Sequence, residues 1–309
     1  NSFFCILLFG VYIFMSYFFI INPKSGKTKQ NISERINTLL SGSKVNYEIA
    51  FTEHKGHARE LSRRAVINGF SNIVVAGGDG TIKEAAEPLV GKEQNLCILP
   101  CGSGNGLARI LYIPLNIDEA IRGVLKWQPR KIDVCLANGK PFFCTAGIGF
   151  DAQIAQLFNN RGGKRGLLPY YFFAFRLFTK YKPPFLTAYF NGLKKEFKPL
   201  ILGVFNARGH GGGVKIAPNA YIDDGLFNII VVRKTSFLKS LRAFFDLFNG
   251  KFLNHKKVVS EYVSRAFEIK CPPQTVFHLD GEDFISDGSL KFSILPKLLN
   301  VKAPKTFEL

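Results

Sequence analysis

The sequence predicts two domains: an N-terminal α/β domain on a parallel sheet, and a C-terminal domain made mainly of β-strands. Three observations carry this. The chain has 309 residues, and at about 150 residues per domain that length suits two cores better than one. Strand and helix patterns alternate from Met15 to about Trp127, as in a parallel sheet with helices on both faces. From about Arg130 short strand-like runs dominate, as in a sandwich or barrel. Hydrophobic residues make up 47% of the chain and charged residues 21%, which supports packed cores and excludes wholesale disorder.

The elements follow in order. Ser2–Ile21 is almost entirely apolar and long enough to cross a bilayer. Met15 is the only methionine, and Tyr17–Asn22 reads as a buried strand entering a Pro/Gly loop. Residues 1–14 are therefore expected to be an upstream extension. The alternative is an N-terminal anchor or signal segment, which would lack a basic leading region. Ile32, Ile36, Leu39 and Leu40 have helical spacing, and Val45–Phe51 alternates like a strand. Thr52 is a candidate N-cap for a helix with Ala58, Leu61, Ala65 and Val66 on one face. Asn72–Ala76 is a short buried strand. A helix near Thr81–Leu89 follows it, then a strand over Leu96–Leu99 and another helix. In the second half, strands are expected at Lys131–Ala137, Lys140–Ala146, Leu186–Phe190, Leu200–Asn206, Leu226–Val232, Ala266–Cys271, Thr275–Leu279 and Leu290–Leu295. Helical insertions are expected near Leu167–Tyr181 and Phe237–Phe252.

Lys plus Arg number 41 against 23 Asp plus Glu, a formal net charge of +18. Such an excess points to an anionic partner: a phosphorylated substrate, an acidic lipid surface or nucleic acid. The six cysteines are scattered without a CxxC pair, against a zinc ribbon or disulfide framework and in keeping with a reducing compartment.

Three glycine-rich loops follow three of the strands: Asn22-Pro23-Lys24-Ser25-Gly26, Gly77-Gly78-Asp79-Gly80-Thr81, and Pro100-Cys101-Gly102-Ser103-Gly104-Asn105-Gly106. In a parallel sheet the carboxyl ends of the strands share one edge, so the loops are expected to meet in a single crevice. Glycine lets backbone N–H groups approach a phosphate, and a following helix adds its positive end. An acid in such a loop, Asp79, suits a site where a divalent cation lies between it and the phosphate. Singly, each loop reads as a turn; together, with the hydroxyls of Ser25, Thr81 and Ser103, they read as a site. Two look-alikes fail. The GKT at 26–28 lacks the earlier glycine of a P-loop, since Ile21 stands there. Gly102–Gly106 has GxGxG spacing, not the dinucleotide GxGxxG. In the second half, Asp223-Asp224-Gly225 and Asp280-Gly281-Glu282 read first as turns. Glu282 becomes a candidate general base if it faces the crevice. His278 and His210 are read as structural.

Together these motifs resemble the diacylglycerol kinase catalytic family, the lipid-kinase superfamily that includes bacterial diacylglycerol kinases and eukaryotic sphingosine and ceramide kinases. The carrying segments are NPKSG at 22–26, GGDGT at 77–81, PCGSGN at 100–105, AGIGFDA at 146–152, GGGVKIAPNAYIDDGLF at 211–227 and DGE at 280–282. They span essentially Ser16 to Leu295. The resemblance implies an ATP- and magnesium-dependent lipid kinase. Its α/β domain would be NAD-kinase/phosphofructokinase-like, over residues 15–128, and a β-sandwich lipid-substrate domain would cover 129–295. The tail, 296–309, would return to the first domain, with the catalytic cleft between the two. It also implies that Asn22, Pro23, Lys24, Ser25, Gly26, Thr52, Gly77, Gly78, Asp79, Gly80, Thr81, Ile82, Lys83 and Ser103 contact the nucleotide. Asp79 would act through the catalytic magnesium and Glu282 as general base for the lipid hydroxyl. In sphingosine-kinase-like relatives the acid of the GGDG loop has that base role, so the assignment stays open here. A structural magnesium would use the Asp224 side chain and the carbonyls of Tyr221 and Leu226. Many bacterial members carry a GTGND-like third loop; the wording here, GSGNG, leans toward the sphingosine-kinase-like form and leaves diacylglycerol and sphingoid-base substrates both open.

A kinase acting on a bilayer lipid must dock. Lys164–Tyr181 and the stripe Phe237, Leu241, Phe244, Phe245 and Phe248 beside Lys239, Arg242 and Lys251 suit an anionic interface; the same aromatics also suit a domain core. The expected setting is cytoplasmic, peripheral at the inner face of the membrane, with no nucleic-acid partner and a homodimer left open. The competing readings are an NAD kinase, which shares GGDGT, and a non-catalytic basic lipid- or nucleic-acid-binding protein.

Overall fold

The computed structural model describes residues 15–26, 31–43, 45–159, 178, 180–208, 216–236, 239, 246 and 251–305. Residues 1–14, His210 and most of the aromatic, basic segments 164–181 and 237–251 lie outside the described residues.

The first half alternates as its sequence predicts. It runs β1 (Ser16–Ile21), α1 (Ile32–Leu40), β2 (Asn46–Phe51), α2 (His57–Ile67), β3 (Asn72–Gly77), α3 (Asp79–Ala86), β4 (Asn95–Pro100), α4 (Gly106–Ile110) and α5 (Ile117–Lys126). β1 pairs in parallel with β2 and β3, and β3 with β4, giving the order β2-β1-β3-β4. β1, β3 and β4 are apolar runs buried along nearly their whole length, as strands covered by helices on both faces must be. Ile32, Ile36 and Leu40 of α1 and Ala58, Leu61 and Ala65 of α2 supply that cover. Thr52 is not the N-cap of α2. The helix starts five residues later, after Gly56, whose φ of 89° only glycine takes without strain. The Glu84 carboxylate accepts the Gly56 N–H at 3.0 Å, so the cap comes from α3. Thr52 instead extends the sheet, donating its N–H to the Ile21 carbonyl at 2.9 Å. α3 also starts earlier than its apolar spacing suggests, at Asp79 inside the glycine loop.

The second half comprises β5 (Pro129–Ala137), β6 (Lys140–Phe142), β7 (Thr145–Gly149), α6 (Phe150–Asn159), β8 (Leu186–Phe190), β9 (Leu193–Phe197), β10 (Pro199–Phe205), β11 (Phe227–Arg233), β12 (Val259–Ser264), β13 (Ala266–Lys270), β14 (Val276–Leu279), β15 (Glu282–Ile285) and β16 (Ser289–Lys302). An antiparallel six-stranded sheet has the order β12-β11-β10-β7-β14-β15. It packs on the antiparallel part of the other sheet, which holds β5, β6, β8, β9, β13 and β16. The core between them joins Phe142, Leu186, Ile269 and Phe292 to Ile148, Leu202, Phe227 and Ile229. This is a β-sandwich.

Three differences from the sequence reading have local causes. The run Lys140–Ala146 is not one strand; it breaks at Phe143-Cys144, whose N–H groups go to the Asp280 carboxylate rather than to a ladder. β9 (LKKEF) escapes periodicity because four of its five residues are exposed. α6 begins inside the AGIGFDA segment, where glycines mask the helical pattern.

β16 joins the halves. Its first part pairs with β13 and β5 in the sandwich. After a register shift between Leu295 and Leu299, Asn300–Lys302 pair in parallel with Asn95–Cys97 of β4. One ten-stranded sheet thus runs through both halves, and Leu299 and Val301 are buried in the core of the first.

Candidate active site

The loops after β1, β3 and β4 lie on one sheet edge and are stitched together. Asn22 Nδ2 donates to Thr81 Oγ1 at 2.9 Å, and Asn22 Oδ1 accepts the Lys24 N–H at 2.9 Å, which folds NPKSG back on GGDGT. Cys101 N–H bonds the Gly77 carbonyl at 3.0 Å. The Asp79 carboxylate closes the set: Oδ1 accepts the Gly106 N–H at 2.7 Å and Oδ2 the Asn105 N–H at 2.9 Å. It thereby caps α4 from another segment of chain. Asn105, buried with φ 54°, closes its own loop by bonding both the N–H and the carbonyl of Gly102 at 2.8 Å. The glycines of the third loop are required by contact. A Cβ on Gly102 would lie 2.7 Å from the Gly78 Cα, and one on Gly104 2.7 Å from Asp79 Oδ2.

Across from these loops stands the β14–β15 turn. Glu282 Oε2 meets Lys83 Nζ at 3.0 Å, and Oε1 meets Lys55 Nζ at 3.4 Å. Lys83 lies one turn into α3 from Asp79, so the helix that starts at the loop acid carries the cation that meets Glu282. A cleft of about 440 Å³ between the halves is lined by Lys55, Asp79, Lys83, Asp280 and Glu282 among others. Partial burial would raise the Glu282 carboxyl, but the Lys83 hydrogen bond and the charges of Lys83 and Lys55 outweigh it and hold Glu282 below the usual range.

The other residues singled out in the sequence fall as follows. Thr52 is buried at the same edge, and Pro23, Lys24 and Ser103 are exposed there. Ile82 is a core residue whose N–H bonds Gly78, so its place in the 77–83 run is structural. The DG turn at 224–225 lies apart from the cleft residues named above. Asp224 accepts the Leu226 N–H at 2.9 Å, and Gly225 donates to Asp133 at 2.6 Å. Burial pushes Asp224 up, and the charges of Asp133 and Asp223 add to it. Tyr221 lies beside them, half exposed, under the Arg208 guanidinium at 4.1 Å. Crowded carboxylates beside a turn of backbone carbonyls are a hard-oxygen donor set that fits magnesium or calcium. Asp79 fits a divalent cation as well, since a carboxylate oxygen accepting one N–H keeps further acceptor capacity. His278 is buried and bonded to Asp151 at 3.2 Å, a structural place.

Three cleft or turn residues escaped the sequence reading. Lys55 was visible only as one charge in TEHKGHA. Asp133 read as an ordinary strand position, although an acid in an apolar run is itself a signal. Asp280 read as half of a DG turn. His54, His57 and Glu60 bring three donor atoms within 4.8 Å of one another. The two rings are stacked, however, and His57 Nδ1 already accepts the Glu53 N–H.

Comparison with known proteins follows the same division. Residues 16–137 match the diacylglycerol kinase catalytic domain, and residues 144–303 match the YegS C-terminal NAD kinase beta sandwich-like domain. A Mycobacterium tuberculosis protein named diacylglycerol kinase is 30% identical over 256 residues, 80% of this chain and 82% of that one. The chain belongs to the diacylglycerol kinase family. It is a kinase with the family's two-domain build. A Klebsiella pneumoniae protein named "Probable lipid kinase YegS-like" is 28% identical over 289 residues, 92% of this chain and 95% of its own. A crystal structure titled as a diacylglycerol kinase from Bacillus anthracis superposes with a TM-score of 0.74 at 23% identity, covering 95% of this chain and 98% of that one. That likeness shows the fold. Among the described residues, no helix of this kinase is long and apolar enough to cross a membrane.

Proposed function

We propose that the kinase transfers the γ-phosphoryl group of ATP to the hydroxyl of a membrane lipid of diacylglycerol or sphingoid-base type, in the cleft between its domains. The observation that carries this is the position of Glu282, across one cleft from the glycine loops and joined to α3 through Lys83. The N–H groups at the N-terminal end of α3, with those of the NPKSG and GSGNG loops not taken up in holding the loops together, cradle the phosphates. Asn22, Pro23, Lys24, Ser25, Gly26, Thr52, Gly77, Gly78, Asp79, Gly80, Thr81, Lys83 and Ser103 form the nucleotide side.

Glu282 accepts the proton of the lipid hydroxyl as its oxygen bonds to the γ-phosphorus and the bond to the β-phosphate bridging oxygen breaks, releasing ADP. Its lowered pKa keeps it ionised at neutral pH. The Asp79 oxygens hold the third loop through the Asn105 and Gly106 N–H groups, on the phosphate side, whereas Glu282 faces it from the second domain with its side chain 45% exposed to the cleft; this favours Glu282 over Asp79 as base. Magnesium at Asp79 would supply charge neutralisation on the phosphates. A second ion, at Asp224 and the carbonyls of Tyr221 and Leu226, would be structural.

The +18 charge supports peripheral docking on an anionic membrane face, the cytoplasmic side being the proposed one. The test is transfer of labelled phosphate from ATP with magnesium to diacylglycerol, monoacylglycerol, sphingosine, ceramide and a polyprenol in mixed micelles, with NAD as a further acceptor. Asp79→Ala and Glu282→Ala variants run beside the wild type. A labelled lipid that both variants lose supports the reading; label on NAD alone sinks it.

A further inference from the structure

We propose that Asp280 is the positioning residue of the transfer site: it locks the β14–β15 turn onto the Phe143–Thr145 corner and so sets where Glu282 stands. This rests on the reading of Glu282 as base. The geometry is a four-bond clasp. Asp280 Oδ2 accepts the Phe143 N–H at 2.8 Å, and Oδ1 accepts those of Cys144 and Thr145, both at 2.9 Å. The Asp280 N–H returns to the Thr145 carbonyl at 2.8 Å. Three N–H groups on one carboxylate, from three successive residues, hold it rigidly because each bond fixes the others.

The corner is itself anchored. Asn206, fully buried, takes the other side of the same peptides: its Nδ2 donates to the Phe143 carbonyl and its N–H to the Cys144 carbonyl, each at 3.0 Å. The Phe143 side chain is 2% exposed and packs in the core of the first domain, not in the sandwich. Burial pushes the Cys144 thiol well up, and the charges of Asp280 and then Asp79 add to it. The clasp therefore ties the turn that carries Glu282 to a piece of the second domain whose Phe143 side chain is embedded in the first.

The strands of the hairpin are held by the pairing of β14 with β7 and by α6, which packs against both of them; β15 is the edge strand of its sheet and, among the described residues, pairs only with β14, over four residues. Its turn, with φ 51° at Asp280 and 85° at Gly281, is a two-residue connection of the I′ kind. Glu282 is the first residue past it. The clasp is what fixes the turn itself; beyond it the Glu282 carboxylate is placed by the edge strand, the α6 packing and two lysine side chains.

The test separates positioning from folding by a double-mutant cycle. Steady-state transfer from labelled ATP to the lipid panel above is measured for wild type, Asp280→Asn, Glu282→Gln and the double variant. Asparagine keeps the size but turns an NH₂ toward one or more of three donors. The expected result is a fall in kcat of about 10- to 100-fold for Asp280→Asn, with the KM for ATP unchanged within about twofold. In the Glu282→Gln background the same change is expected to cost less than about twofold, because the group it positions is gone. Equal losses in both backgrounds, or no loss in the first, overturn the proposal while leaving Glu282 as base. Full turnover by Glu282→Gln, or a wild type that labels none of the lipids, overturns the underlying reading and this inference with it. If Asp280→Asn does not fold, Asp280→Glu, which keeps the charge and the acceptors but lengthens the arm by one methylene, decides by the same cycle. A kcat loss confined to the background that keeps Glu282 is expected; an equal loss in both backgrounds, or none, overturns the proposal.

Discussion

Two Asp-Gly turns in the second domain look alike in sequence and end in opposite environments. Asp224-Gly225 and Asp280-Gly281 both place a glycine at positive φ, 72° and 85°. The Asp280 carboxylate is surrounded by N–H donors; Asp224 has the Leu226 N–H and two neighbouring acids, Asp133 and Asp223. The first arrangement is complete and can hold a neighbour still. In the second, Arg130 pairs with Asp223 at 3.2 Å, while Asp224 and Asp133 meet backbone N–H groups and keep acceptor oxygens that suit a cation. The dipeptide sets the turn, and its function follows from which groups the rest of the chain brings to it.

The sharpest way to break this comparison is at Glu282, the residue the first turn delivers. Glu282→Gln is expected to lower kcat about 10²- to 10⁴-fold with ATP binding unchanged, read by steady-state kinetics and nucleotide titration. Asp224→Asn is expected to leave kcat within a few-fold. Equal losses at the two sites would erase the distinction.

A smaller effect is expected from Lys83→Met. Glu282 is held below its ordinary value of 4.5, so the acid limb of kcat/KM in the wild type is expected below that pH. Without Lys83, burial remains and opposes ionisation, leaving only Lys55 against it. The limb should then move upward in a pH–rate profile; a limb that stays in place would show that another group titrates. For stability the sign is the same. A lowered carboxyl contributes above its unfolded pKa, and that contribution is lost as pH falls through the folded one.

The second turn predicts a metal-dependent sign. Asp224 is raised, so its contribution is present below the unfolded value of 3.8 and lost as pH rises through the folded one. At neutral pH without divalent cations Asp224→Asn is expected to raise Tm by about 2 °C. With magnesium the wild type should gain Tm and the variant should not. Calorimetry with EDTA and with magnesium reads both; a Tm difference of the same sign in both conditions would remove the cation site.

Effects on melting of similar size are expected from the glycines. Gly225→Ala and Gly281→Ala each force a side chain to positive φ at about 1–2 kcal/mol, so their melting shifts should match. Only Gly281→Ala should also cost turnover.

How much of this was legible in sequence depends on the range of the signal. The α/β half was readable because helix and strand periodicities are local. The meeting of NPKSG, GGDGT and PCGSGNG followed from one geometric fact, that parallel strands end on one edge. The Thr52 cap failed because Glu84, from another helix, does the capping. The break at Phe143-Cys144 was invisible because its acceptor, Asp280, is 137 residues from Phe143.

Residue order alone carries the two-part build, the glycine loops that only close backbone approach explains, and Asp79 and Glu282 as the acids to weigh. Folding is what gives Asp79 its backbone N–H partners and Glu282 its lysines in one cleft. It also decided that Lys83 reaches Glu282 across 199 residues and that β16 carries one sheet through both halves. The physical reason is that periodicity records which face of an element is buried. A hydrogen bond or ion pair between distant segments leaves no periodic trace, and its partners are chosen only when the chain has folded.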